Sequence, residues 1–234
     1  MKLLLANPNA TEAVTKACAV LARATALPGT EIVEWTNRGG PPLIDSYYGD
    51  SLAGRPLAMA LATLQPVPDA IVLAGFGYYG THAVKEVLDV PVVGLPEAAM
   101  AYAISLCHRF AIVTTSPRMI AYTEDLVTAL GFASRCATVR AVTLPPMGVA
   151  EPPAEEVVAR LATESAATGA DLVILGGSRL SPYAAALRAR TPLVVVEPVA
   201  CAVTMAESLM RIGVRQSKAG KFARPPRPLE EYGR

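Results

Sequence analysis

Histidine and cysteine are scarce in this chain, and the few present are scattered. His82 and His108 are the only histidines, and Cys18, Cys107, Cys136 and Cys201 show neither CxxC nor zinc-ligand spacing. A dedicated metal site is not expected, nor a disulfide framework, and a reducing cytoplasmic setting fits best. Charge is thin as well: 18% of residues are charged and the net charge is +1, so nothing proposes a nucleic-acid partner. No apolar run reaches the ~18–20 residues of a membrane span. Polar Asn7 and Asn9 interrupt the short apolar start at Met1 to Ala6 before a secretory segment could form. The basic stretch from Arg211 to Arg227, with Pro225, Pro226 and Pro228 at its end, reads as a solvated tail packed over the surface.

What the chain has in quantity is apolar sequence. Hydrophobic residues make up 52% of its 234 residues, enough for one large domain or two small ones with real cores. Continuous apolar runs suit strands of a parallel sheet covered on both faces. These runs repeat. Asp69-Ala-Ile-Val-Leu-Ala-Gly75 is echoed by Asp171-Leu-Val-Ile-Leu-Gly-Gly177, each ending in glycine as a buried strand entering a tight loop does. Val90-Pro-Val-Val and Thr191-Pro-Leu-Val follow, leading into Pro96-Glu97 and Glu197-Pro198 and then into alanine-rich helical stretches. Earlier, Lys2-Leu-Leu-Leu-Ala-Asn7 pairs with Arg109-Phe-Ala-Ile-Val-Thr114, and the segments from Glu31 and from Thr138 supply second strands. Each half therefore reads β-α-β, a connecting segment with helix, β-α-β and a final helix, which argues for parallel sheets with right-handed crossovers.

The expected fold is α/β, with two pseudo-symmetric lobes, each a mostly four-stranded parallel sheet flanked by helices, and a ligand cleft between them. One lobe is placed at residues 1–96 plus 206–234 and the other at 97–205, with a last helix from Ala206 to Gly213. The Pro/Gly-rich segments at Arg38-Gly-Gly-Pro-Pro and Pro145-Pro-Met-Gly read as loops after the second strands. Ligands of open α/β sheets bind outside the carboxyl ends of the strands. The residues to search are therefore Asn7 to Asn9, Gly75 to Tyr79, Thr114 to Ser116 and Gly177 to Arg179.

Several of these segments carry a family resemblance. Asn7-Pro8-Asn9, Phe76-Gly77-x-x-Gly80, Val93-Gly94-x-x-Glu97-Ala98-Ala99, Val113-Thr114-Thr115, Arg135-Cys136-Ala-x-Val-Arg140 and Ser217-Lys218-x-Gly220 together resemble the hydantoin racemase branch of the aspartate/glutamate racemase superfamily, nearly end to end. The resemblance implies a cofactor-independent isomerase in which each half supplies one cysteine, and the two thiols act on opposite faces of the substrate α-carbon. Around the first cysteine the family reads A-C-F-G-D-P-G; this chain has Ala74-Gly75-Phe76-Gly77-Tyr78-Tyr79-Gly80. Around the second it reads G-C-A-G; this chain has Gly176-Gly177-Ser178-Arg179. Both thiols are absent on this alignment, and two-thiol racemisation with them. Of the remaining cysteines Cys201 lies nearest the expected cleft, and small buried apolar roles suit all four.

The catalytic candidates that remain are Tyr78, Tyr79, His82, Ser178 and Arg179. A tyrosine near an enolate could donate a hydrogen bond or a proton, or merely shape the cleft. Arg179 could pair with a carboxylate or sit at the surface; His82 could be a base or a solvent-facing residue of the first helical turn. Candidates for holding a substrate are Asn9, Tyr48, Gly75, Phe76, Thr114, Thr115, Ser116 and Gly177, with capping as the alternative for the hydroxyl and amide side chains. Gly75-x-Gly77-x-x-Gly80 formally spells a dinucleotide fingerprint, but it does not follow the first strand. Its glycines suit a tight loop with positive φ, and the missing side chains at 75 and 177 suit a larger cleft or let backbone N–H groups approach the ligand. Glu97 reads as cleft-adjacent and structural at a helix start.

The leading expectation is an enzyme acting on a small carboxylate or cyclic amide through an enolate-like state, by isomerase, lyase or hydrolase chemistry, without metal or other cofactor. A silent homologue that only binds ligand, or a variant whose thiols have been replaced, is the second. A nicotinamide enzyme is the third. The partner is a small molecule, with neither nucleic acid nor membrane, and the apolar content suits a homo-oligomer.

Overall fold

Each apolar run becomes a strand and each alanine-rich stretch a helix, in the order the repeat implies. The computed structural model describes residues 1–145, 150 and 152–232, so the loop expected at Pro145-Pro-Met-Gly lies beyond Pro145 outside the described residues. The first half runs β1 (Lys2–Asn7), α1 (Glu12–Thr25), β2 (Glu31–Thr36), α2 (Tyr47–Ala62), β3 (Ala70–Leu73), α3 (Thr81–Val87), β4 (Val92–Gly94) and α4 (Leu95–Leu106). The second runs β5 (Phe110–Thr114), α5 (Met119–Ala129), β6 (Cys136–Ala141), α6 (Ala154–Ala166), β7 (Leu172–Gly176), a 3-10 segment (Ser178–Tyr183), α7 (Ala184–Arg188), β8 (Val194–Val196) and α8 (Pro198–Arg211). The first sheet has strand order β2-β1-β3-β4 and the second β6-β5-β7-β8, all pairs parallel. Sequence duplication and structural duplication coincide.

Side-chain alternation along the strands fixes the layering. Leu3, Leu5 and Val72 of the first sheet share one core with Phe110, Ile112, Leu172 and Ile174 of the second. Between them lie Cys18, Ala19 and Ala22 of α1, Ala99, Met100 and Ala103 of α4, and Val199, Ala202, Val203 and Ala206 of α8. The alternate residues Leu4, Ala6, Ile71 and Leu73 face Leu57 and Leu61 of α2 and Val84 of α3. On the other side Val113, Val173 and Leu175 face Val157 and Leu161 of α6 and Leu187 of α7. A helical layer is thus shared by the two sheets, and its many alanines let the helices approach closely. The helix expected at 206–213 is the second part of α8, one continuous helix from Pro198 that runs across position 205.

The acidic-proline pairs serve the helix starts in two different ways. Glu197 is the N-cap of α8, its buried carboxylate accepting from Val199 N at 2.8 Å and Ala200 N at 2.7 Å. Glu97 lies one turn inside α4, accepts from Gly94 N at 2.9 Å, and receives both carboxylate contacts of Lys85 Nζ at 2.7 Å. Both satisfy amide donors that a helix start leaves unpaired. The tail packs back over α3: Lys218 Nζ donates to the Lys85 and Glu86 carbonyls at 2.6 and 2.9 Å. Among the described residues no helix is long and apolar enough to cross a membrane.

Candidate functional site

The loops after β1, β3, β5 and β7, two from each half, wall a single cavity of about 60 Å³. Its lining includes Pro8 and Asn9, Gly75 and Phe76, Thr114 and Thr115, and Gly177 to Arg179, with Leu43, Ile44 and Met119 closing its sides. Positions 75 and 177, predicted to oppose each other, do wall one cavity. At about 10–15 Å³ per water it has room for about four to six waters, which suits a small ligand.

The polar groups around this cavity are mostly fixed by the fold. Asn7 is fully buried, and its Nδ2 reaches Asn9 Oδ1, the Thr11 carbonyl and Thr15 Oγ1 at 3.0–3.2 Å. Asn9 Oδ1 also accepts from Thr11 N at 2.9 Å, so the amide oxygen organises the turn into α1. Among the described residues nothing in the protein engages Asn9 Nδ2. Buried Thr114 donates its hydroxyl to the Gly176 carbonyl at 3.0 Å, tying β5 to β7 across the site. That bond uses its proton, and the hydroxyl oxygen can still accept. Ser178 turns its hydroxyl towards the Cys18 thiol. Both terminal nitrogens of Arg179 donate to the Pro145 carbonyl at 3.0 Å, so the guanidinium braces the loop after β6 at the cavity edge.

Tyr79 determines the character of the first wall. Its ring lies against Gly75 and Gly77 so closely that a Cβ would stand 2.4 Å from Cε2 at the first position and 2.4 Å from Cζ at the second. The space belonging to a side chain at 75 is therefore filled by the tyrosine four residues on. This corrects two expectations. The missing side chain at 75 does not enlarge the cleft, and the positive φ expected of the loop's glycines occurs at Gly80 (φ 75°) but at neither Gly75 nor Gly77, Tyr79 also being left-handed at φ 43°. Gly75 and Gly77 provide room for the ring, and Gly80 provides backbone freedom. Tyr79 is 5% exposed, and its hydroxyl has no hydrogen-bond partner among the described residues. Burial, then the Asp50 carboxylate, pushes the phenol well above its usual value, so it stays protonated. At Gly177, by contrast, a Cβ would meet only Thr115 Cγ2, at 3.1 Å.

Other expected site residues lie elsewhere. Tyr48 is 75% exposed on α2. Tyr78 is fixed by its backbone, N–H to Tyr122 Oη at 2.9 Å, and its ring meets His82 edge-on outside the cavity. His82 packs against Phe222 of the tail, and burial followed by the charges of Lys221 and Lys85 lowers its pKa. It does not line the cleft, because α3 turns it towards the tail. Ser116 Oγ accepts from Arg118 N at 3.2 Å in the turn before α5. No cysteine lines the cavity, and burial pushes the thiols up, Cys18 and Cys201 to about 12 and Cys136 to about 11. In the GxGxxG loop the Tyr79 ring stands against Gly75 and Gly77, where a pyrophosphate would call for bare backbone. Asp50, Tyr122 and Met119 were not found from sequence; they lie on helices far along the chain from the loop they meet.

Known proteins share the family and the fold. A family model described as Asp/Glu/Hydantoin racemase matches residues 3–206. A hydantoin racemase of Paenarthrobacter aurescens is 33% identical, over 96% of this chain and 98% of its own. The structure of allantoin racemase from Klebsiella pneumoniae superposes with a TM-score of 0.89 at 32% identity, covering 97% of this chain and 95% of that one. At 16% identity, a TM-score of 0.65 and coverage of 92% and 94%, arylmalonate decarboxylase shares the fold.

Proposed function

The chain belongs to the Asp/Glu/hydantoin racemase family, and from that premise we propose that it is a cofactor-independent enzyme in which Tyr79, not a thiol, serves an enolate-like intermediate of a small carboxylate or cyclic amide. The observation that carries this is the Tyr79 ring lodged where a side chain at 75 would stand, in the wall of the cleft, with no hydrogen bond to its hydroxyl among the described residues.

The direction of the chemistry follows from protonation states. Abstracting an α-proton needs a base poised near neutral pH. The titratable side chains among the described residues lining the cavity are Tyr79 and Arg179, and Tyr79 holds its proton firmly. A protonated phenol is a donor. It suits a reaction in which charge on the α-carbon comes from breaking a bond other than C–H, as when a malonate-like carboxylate leaves as carbon dioxide. The bonding pair then rests on the α-carbon and the adjoining carbonyl oxygen. Asn9 Nδ2 and Tyr79 Oη stabilise that oxygen or carbon; Tyr79 delivers its proton to carbon, and water restores the phenol. The likeness in fold to a decarboxylase, although remote, supports a scaffold not confined to racemisation.

A second reading, a ligand-binding protein without turnover, draws on the same lining, which presents no ionised base. One experiment separates them. A panel of hydantoins, allantoin and arylmalonates in heavy water is followed by NMR, alongside calorimetric binding. Product with deuterium at the α-carbon, reduced about 100-fold or more in Tyr79→Phe, is expected. Binding without turnover by any member selects the second reading.

A further inference from the structure

Tyr79 occupies a backbone region that a side chain seldom adopts, so something outside the loop must hold it there. Two side chains hold the two peptides that lead into it. Asp50 Oδ1, on the first turn of α2, accepts from Tyr79 N at 2.6 Å. Tyr122 Oη, on α5, accepts from Tyr78 N at 2.9 Å and stands beside the Asp50 carboxylate. These groups come from opposite halves of the chain and converge on consecutive amides. Gly54, one turn after Asp50 on the same face of α2, lets the helix close on the turn: a Cβ on Gly54 would lie 3.2 Å from Gly80 N, and one on Gly80 2.9 Å from the Gly54 carbonyl oxygen. Gly77 completes the arrangement, because a Cβ there would fall 2.5 Å from Tyr122 Oη as well as against the Tyr79 ring. The Tyr122 ring is held in turn by edge contact with Tyr47, centroids 5.1 Å apart, while Tyr47 Oη donates to Asp125 Oδ2 at 2.5 Å.

We propose that Asp50 and Tyr122 are positioning residues that lock the 78–79 peptides and so aim the Tyr79 hydroxyl into the cleft. This deepens the reading of Tyr79 as donor and rests on it for its catalytic meaning. The pose itself does not depend on any reaction.

The test reads pose and rate separately. With ring-labelled [¹³C]tyrosine, the Tyr79 signal is identified as the one missing from Tyr79→Phe. In Asp50→Ala and in Tyr122→Phe, which keeps the packing ring, that signal is expected to move towards the position of a solvent-exposed tyrosine. Asp50→Asn keeps an acceptor for the Tyr79 amide and is expected to leave the signal in place. Where a substrate is turned over, kcat falls about 100-fold in Asp50→Ala, as for a misplaced reacting group, with KM changed less than about twofold. A Tyr79 signal unmoved in folded Tyr122→Phe and Asp50→Ala overturns the proposal. A signal that moves while no substrate is ever turned over sustains the positioning and sinks only the enzymatic reading. If Asp50→Ala does not fold, Tyr122→Phe alone decides between these outcomes.

Discussion

At the scale of single residues, the two positions where the resemblance calls for thiols have been resolved differently. A cysteine at 75 would drive its Cβ into the Tyr79 ring and to 2.7 Å from Pro8 Cγ, whereas one at 177 meets a single methyl group at 3.1 Å. Gly75→Cys is therefore expected to destabilise by about 1–3 kcal/mol through overpacking, and Gly75→Cys with Tyr79→Ala to recover much of it. Gly177→Cys should cost less than Gly75→Cys; urea denaturation of the three variants checks the order. The buried thiols make a second residue-level prediction. Cys18 titrates at about 12 in the fold against an ordinary value of 9.0, so between these values the unfolded chain releases its proton first. Stability contributed by the neutral thiol is complete below about pH 9 and drains away as pH rises towards about 12. Unfolding free energy measured from pH 8 to 11 should decline, and less steeply in Cys18→Ala.

At the scale of elements, the strand and helix order was legible because parallel strands buried on both faces are written as continuous apolar runs, and because the chain states the pattern twice. The site was legible only in part. Asn9, Thr115, Ser178 and Arg179 follow strands directly, so topology alone brings them to the cleft. The position of Tyr79 could not be read from its neighbours: it depends on Asp50 from α2 and Tyr122 from α5, contacts 29 and 44 residues away for the two amides. Likewise His82 was misplaced because the tail that covers it returns from 139 residues downstream at Lys221. That tail is clamped by Lys218, a cation at the carbonyl end of α3, where the helix dipole favours it. Lys218→Ala should cost about 1 kcal/mol and, more tellingly, raise amide exchange across 214–232 while the strands stay protected. Protection unchanged in the tail would mean that the other contacts suffice to hold it.

For the whole molecule, the layer shared by α1, α4 and α8 means that neither sheet has a complete core without the other. A single calorimetric transition, with van't Hoff and calorimetric enthalpies equal, is the expected result; two separable transitions would show that the sheets can part without mutual loss. The contrast between the cleft's two walls, a phenol beside Gly75 and only the Thr115 methyl near Gly177, has a stereochemical corollary. Hydrogen delivered from one side alone reaches one face of a planar carbon, so an achiral, disubstituted precursor should leave as a single mirror image, and chiral chromatography of the product would register it.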